Sequence, residues 1–353
     1  MNSITLRRPL PPAAQLLSDG AAASPRRRRL LMALSGAALP ATALPGLARA
    51  QGSQAEYPSR PVRVIVAFAP GSLTDGLVRL LGPRMSQVLG TSIVVDNKPG
   101  ATGIIGTQMA AQAAPDGYTL VMGGVSSHGA LPALMPNLPY DALKDFTPIG
   151  LATAPPALIA VHPSVPASNI KEFAAWTQQQ PGGVSYATTG VGSSGHLTTE
   201  LLVMQTGARL VPVPYKDAGQ AIADLISGQV KMLVYYAPML PHIRAGRLKA
   251  LAVLSEQRVD FASEIPTAAE QGFPKLLSSG WTGLFGPAGL PDPVRDKLQA
   301  ALAAALADAG IREQLAKQGQ VPLPLGPAQF RQFVQAEIAK WSEVVRIANI
   351  KVS

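Results

Sequence analysis

Six residues, Gly190-Val191-Gly192-Ser193-Ser194-Gly195, place glycines and hydroxyls at the spacing G-x-G-x-x-G between a β-rich run and a helical pattern. Glycine lets the backbone approach a ligand. Serine adds a hydroxyl, and a helix start adds unpaired N–H groups with a partial positive charge. That chemistry suits an anion. Three readings of the segment stand side by side: a dinucleotide phosphate loop with Asp217 as a ribose acid, a small-anion loop, and a structural turn. Two further loops share the composition, residues 69–75 (Ala-Pro-Gly-Ser-Leu-Thr-Asp) and 123–128 (Gly-Gly-Val-Ser-Ser-His). The candidate ligand contacts are Ala69, Gly71, Ser72 and Asp75 in one loop and Ser126 and Ser127 in the next. Thr189, Gly190, Gly192, Ser193, Ser194 and Asp217 complete the set. The ligand class they fit best is a small carboxylate. Asp75 is expected to accept from a ligand hydroxyl or ammonium. Asp75 and Asp217 together are expected to disfavour a second unshielded carboxylate, and so to favour a monocarboxylate or amino-acid-like ligand over a tricarboxylate.

Other chemistries lack their residues. The chain has no cysteine, which removes disulfides, thiolate zinc sites, a cysteine nucleophile and a lipidated N-terminal Cys. The four histidines, His128, His162, His196 and His242, show no H-E-x-x-H pattern, so no metal is expected. No G-x-S-x-G elbow occurs. No cofactor is expected. The formal charge is +9, but residues 1–50 carry +6 of it and the remainder only +3. The basic pI therefore says little about nucleic acid, and none is expected as a partner.

The elements that must position these loops alternate. β-rich runs at 62–68, 91–97 and 118–123 are separated by helical patterns at 74–89 and after the glycine-rich turn 100–106. A second set follows: strands at 158–162, 184–187, 209–214, 230–236 and 248–254, with helices at 170–179, 196–205 and 219–227. A strand at 280–285 then returns toward the first set. A helical pair at 291–318 and a long amphipathic helix over Pro327–Ile347 end the chain. This pattern predicts parallel sheets covered by helices, in two α/β lobes with a central cleft. In such sheets ligands sit at the carboxyl ends of strands, where all three glycine-rich loops fall. The expected division is a leader at 1–50, one lobe from 51–155 plus 281–353, and a second from 156–280. Trp281, Tyr235 and Tyr236 are expected in the core or the cleft wall.

The leader reads as an export signal. Arg26–Arg29 precede an apolar run at 30–47, and Ala48-Arg49-Ala50 is a small-x-small cleavage site. Arg27-Arg28 fits a twin-arginine signal and an ordinary basic n-region equally. Cleavage after Ala50 would leave Gln51 at the N-terminus of an exported, freely soluble monomer.

Several blocks, in order, resemble one family. They are Tyr57-Pro58-Ser59-Arg60-Pro61, Pro70-Gly71-Ser72-Leu73-Thr74-Asp75 and Val94-Val95-Asp96-Asn97-Lys98-Pro99-Gly100-Ala101-Thr102-Gly103. Pro115-Asp116-Gly117-Tyr118-Thr119-Leu120, Asp145-Phe146-Thr147-Pro148, Gly190 to Leu197 and Val213-Pro214-Tyr215-Lys216 continue the series. Together they resemble the substrate-binding proteins of tripartite tricarboxylate transporters, the Bug family. The resemblance implies a periplasmic-binding-protein-like fold that closes on a small carboxylate, holds it by loop amides and hydroxyls, and passes it to an inner-membrane permease. It implies location in the periplasm and no catalysis. An exported hydrolase-like α/β enzyme acting on a carboxylate or ester is the alternative reading of the same cleft. The chain departs from the family pattern, which usually has Gly where Ser72 and Asp217 stand. The family commonly has Asp at the positions of Lys231 and Tyr235, and Asn at that of Leu131.

Overall fold

The computed structural model describes residues 57–190 and 192–350. The leader, its expected cleavage site and Val191 lie outside the described residues.

The first lobe begins with β1 (Val62–Val66), whose residues are buried apart from a half-buried Arg63. Burial on both faces is why its sequence, Arg63 apart, is a continuous apolar run and not an alternating one. Helix α1 (Leu73–Leu89) follows, capped by Ser72 and ended by Gly90, which turns left-handed (φ 72°) and returns its N–H to the Ser86 carbonyl. β2 (Ile93–Asn97), a turn at Ala101–Gly103, α2 (Ile104–Ala111) and β3 (Thr119–Gly124) complete the opening unit. A π-helical turn over Val125–Ala130 then leads into the short α3 (Leu131–Leu134). β4 (Phe146–Thr153) is a strand that the sequence pattern does not show. Pro148 and Gly150 interrupt its β signal. The fold tolerates them because β4 lies at the sheet edge, with register shifts where they pair.

The second lobe runs β5 (Leu158–Val161), α4 (Ile170–Gln178), β6 (Val184–Thr188), α5 (Ser194–Thr206), β7 (Leu210–Pro214), α6 (Ala218–Ser227), β8 (Met232–Tyr235), α7 (Leu240–Arg244) and β9 (Lys249–Val253). The chain then returns through β10 (Thr282–Pro287), α8 (Asp292–Ala307), α9 (Ala309–Lys317) and α10 (Pro327–Ile347).

The strand orders are β2-β1-β3-β10-β4 and β7-β6-β8-β5-β9. In each sheet three parallel strands meet an antiparallel strand, β10 or β5, that arrives from the other half of the chain. β10 inserts between β3 and β4, while α8 packs on α1 and α10 covers β4.

Two strand-like crossings join the lobes. They run side by side, with Gly280 donating to the Pro155 carbonyl at 2.8 Å and Ala157 to that of Ser278 at 2.9 Å. A third segment joins them beside β4, where Ala154 donates to the Val321 carbonyl at 2.8 Å. One hydrophobic cluster runs through this junction, from Ile65, Val121 and Phe285 to Ile159, Tyr186 and Leu197. Trp281, at the end of one crossing, and Trp341 on α10 both donate their indole N–H to Glu337 Oε2, at 2.9 and 3.0 Å. Lys340 pairs with the other oxygen of that carboxylate.

Candidate functional site

The parallel strands set the site. β1 and β3 run parallel, so the loops after them leave the same sheet edge; β6, β7 and β8 do the same in the second lobe. The expected contacts are thereby gathered into two groups. Gly71, Ser72 and Ser126 lie on the first lobe, and Gly190, Gly192, Ser193 and Ser194 on the second. The π-helical turn of the first lobe packs against α5 of the second and against the Ala101–Gly103 turn, which brings the groups together.

The two principal helix starts are built alike. Ser72 caps α1 with φ −66° and ψ 160°, and its hydroxyl accepts from the Asp75 N–H at 3.2 Å. Ser193 caps α5 with φ −65° and ψ 158°, and its hydroxyl accepts from the His196 N–H at 3.3 Å. In both, the next two N–H groups, Leu73 and Thr74 or Ser194 and Gly195, have no acceptor among the described residues. Gly71 (φ 82°) and Gly190 (φ 119°) precede the caps in backbone conformations that disfavour other residues, and open space surrounds each where a Cβ would stand. Each helix start therefore offers a pair of amides to an anion on a loop that leaves room for one.

Around these amides the side chains are held rigidly. His196 is buried, and its Nδ1 accepts the Gly192 N–H at 3.2 Å. That bond places the ring proton on Nε2, facing Glu200 Oε1 at 3.9 Å. Burial lowers the His196 pKa and keeps the ring neutral, as this bond requires. Tyr236 donates its hydroxyl to Ser194 Oγ at 2.9 Å. Burial pushes the Tyr236 pKa up to about 12, so it remains a donor. Sequence reasoning placed Tyr236 in the core or cleft wall and missed this bond. Its adjacency to the end of β8 was the available signal.

Several expected contacts have another task. Asp75 is only 3% exposed. Its Oδ2 accepts from the Gly71 N–H and Arg79 Nε, both at 2.9 Å, and its Oδ1 from Asn97 Nδ2 at 2.9 Å. Asn97 also donates to the Phe68 carbonyl at 3.1 Å. Asp75 thus fastens the 68–72 loop to β2, and its acceptors are used within the lobe. The bond from Arg79 outweighs the opposing effect of desolvation and, with the lesser bonds from Gly71 and Asn97, holds its pKa down at about 2. With Arg79 as its counter-ion, Asp75 no longer supports the expected repulsion of a second carboxylate. Ser127 is buried, with its hydroxyl 2.9 Å from His128 Nδ1 and accepting from the Gly124 N–H at 3.2 Å. Asp217 is exposed and caps α6, accepting from the Gln220 N–H at 2.9 Å. Both positions where the family usually has Gly, 72 and 217, are helix caps here. Ala69 and Thr189 are exposed at the loop rims, and Ser126 is half-buried.

One feature had only a weak sequence signal. Four consecutive residues, Gly100, Ala101, Thr102 and Gly103, all have positive φ (136°, 46°, 55° and 94°). For Ala and Thr that conformation is strained, and such strain persists only where the surroundings hold it. Here α2 holds it. A Cβ on Gly106 would stand 2.8 Å from the Lys98 carbonyl, so the helix sits directly on the loop.

Ser127 and His128 look like a nucleophile and base, but His128 has no exposed surface and its Nε2 has no partner among the described residues. Phe285 stacks on the ring with centroids 4.0 Å apart, and burial lowers its pKa to about 3. Both residues of that pair are buried. No group of His, Asp and Glu among the described residues could hold a metal ion.

The model of the tripartite tricarboxylate transporter family receptor matches residues 77–350. The chain belongs to this receptor family. Among its relatives, BugT of Bordetella pertussis is 37% identical over 297 residues, spanning 84% of this chain and 91% of that one. MatC from Rhodopseudomonas palustris, solved with bound malate, is 36% identical with a TM-score of 0.71, over 82% of this chain and all of that one. R. palustris Rpa4515, solved with adipate, is 32% identical with a TM-score of 0.74, over 84% of this chain and 99% of that one. The two α/β lobes are the fold of this family of periplasmic receptors. Its members are binding proteins, which agrees with a site that offers amides to an anion.

Proposed function

We propose that this chain is a periplasmic solute receptor that captures a small carboxylate between its lobes and passes it to an inner-membrane permease. The observation that carries the reading is the pair of serine-capped helix starts, one in each lobe, whose leading N–H groups have no acceptor among the described residues. A carboxylate has two oxygens and can accept from both lobes, which couples binding to closure. The malate and adipate held by two relatives support that ligand class. Ser72, Ser126, Ser193 and Ser194 with Gly71, Gly190 and Gly192 form the contact surface. Asp75, Ser127, His196 and Tyr236 fix its shape. Residues 1–50 direct export and are removed, leaving Gln51 first; the intact mass of protein recovered from the periplasm checks this.

The deciding experiment is a melt of the mature protein with malate, adipate, citrate and simple monocarboxylates, with the ligand recovered afterwards. A true ligand at a hundred times its Kd adds about 2.7 kcal/mol of stability and is returned unchanged. Chemical turnover of the ligand would replace the receptor reading with an enzyme.

A further inference from the structure

Between the lobes lies a cavity of about 460 Å³. Its first-lobe wall includes Leu73, Ala316 and Lys317, and its second-lobe wall Pro238, Arg244 and Phe261. Three features fix its chemistry.

The first is continuity with the carboxylate loops. Leu73 follows the cap Ser72 directly. Ala237, which also lines the cavity, follows Tyr236, whose hydroxyl bonds Ser194 at the start of α5. The second is an apolar wall without spare charge. Leu73 is 48% exposed although it stands at the start of a helix whose other apolar residues are largely covered. The two cations of the wall are already paired. Arg244 Nε donates to Glu264 at 3.0 Å, and Lys317 Nζ lies 2.7 Å from Glu313. A second carboxylate entering here would have to compete with Glu264 or Glu313 for its cation, whereas a hydrocarbon would cover Leu73, Pro238 and Phe261. The third is a closed base. Gly319 (φ 64°) rests so tightly on Ala237 that a Cβ there would stand 1.9 Å from the Ala237 Cβ. The cavity therefore ends where the lobes touch.

We infer that this cavity is a tail subsite, and that the ligand is a monocarboxylate whose hydrocarbon body, a ring or a short chain, lies against Leu73, Pro238 and Phe261. The inference rests on the carboxylate-receptor reading above and adds to it the part of the ligand that the helix starts do not hold. A cavity of this size is within the range of small-molecule sites. It also accounts for an exposed leucine beside a polar loop.

The test is calorimetry on the mature protein at one pH and salt. The probes are straight-chain monocarboxylates from acetate to octanoate, benzoate and phenylacetate, with malate and adipate alongside. Affinity should rise roughly three- to four-fold for each added methylene until the cavity fills. Ala316 is exposed on α9, so Ala316→Trp fills the cavity from a surface helix; a melting curve reports whether the fold is intact. That variant should remove the rise with chain length and leave the shortest measurable acid within two-fold of wild type. Three results would overturn the subsite: affinity independent of chain length, equal weakening of short and long acids by Ala316→Trp, or tighter binding of a dicarboxylate than of the monocarboxylate of equal length. The first would assign the cavity to solvent or a protein partner. Failure of every carboxylate to bind would instead overturn the receptor reading itself.

Discussion

At the scale of single residues, charge in this site is used to shape loops. Asp75 shows it most clearly, since its carboxylate joins the Gly71 amide, the Arg79 guanidinium and the Asn97 side chain. Asp75→Ala takes the shared acceptor from the Gly71, Arg79 and Asn97 donors and should lower the unfolding free energy by about 1–3 kcal/mol, read from urea denaturation. Unchanged stability would show that water replaces the carboxylate. His128 makes a pH prediction. Its folded pKa is about 3, well below the ordinary 6.5. Between those values the unfolded chain holds a proton that the folded chain does not. Stability should therefore be full above about pH 6.5 and fall as pH drops toward 3, by about 1.4 kcal/mol per unit for this group. His196 and His242, also lowered by burial, add to the fall. His128→Gln should flatten part of the curve in melts from pH 7 to 4. An unaltered slope would place the titration elsewhere. The sequence showed Asp75 and Ser127 beside a binding loop but not which way their acceptors turn. That direction depends on Asn97 and His128, which the fold supplies.

At the scale of elements, helix starts separate binding from support. Ser193→Ala removes the cap of α5 and should cost about 1 kcal/mol of stability. It should also weaken ligand binding several-fold, because the Ser194 and Gly195 amides lose their anchor. Asp217→Ala removes the cap of α6 at a similar stability cost, and binding should stay within two-fold because its carboxylate is exposed and engaged by Gln220. Calorimetry and melting of both variants check the pair, and a large affinity loss in Asp217→Ala would return that residue to the ligand. Helix boundaries were readable here because caps are local chemistry: Ser72, Ser193 and Gly90 stand where α1 and α5 start and α1 stops. β4 was not readable, since Pro148 and Gly150 erase its local signal and only pairing with β10 makes it a strand. The short α3 and α7 fall below the length at which apolar spacing can be recognised.

At the scale of the molecule, the junction between lobes is fastened by Glu337, which accepts from Trp281 on one crossing and Trp341 on α10. Glu337→Ala leaves two buried indole N–H groups unpaired and should cost about 1–3 kcal/mol for each. A shift in tryptophan emission should accompany the loss. A melt indistinguishable from wild type would mean that α10 is held by packing alone. Phe330 and Val334 on the same helix, both fully buried, provide that alternative support.

Apart from β4, α3 and α7, the order of strands and helices was determined by the sequence alone, as were the two α/β units and the three glycine- and serine-rich loops at strand ends. Each follows from local causes: apolar runs, caps, and glycine where φ is positive. The tertiary structure decided which polar atoms face inward. It tied Asp75 and Ser127 into their own lobe and left the Leu73–Thr74 and Ser194–Gly195 amides without an acceptor among the described residues. The physical reason is that a hydrogen-bond acceptor serves whichever donor the packed chain brings to it. One donor to Asp75 comes from 22 positions away, on Asn97, and one donor to Glu337 comes from the end of a crossing, on Trp281.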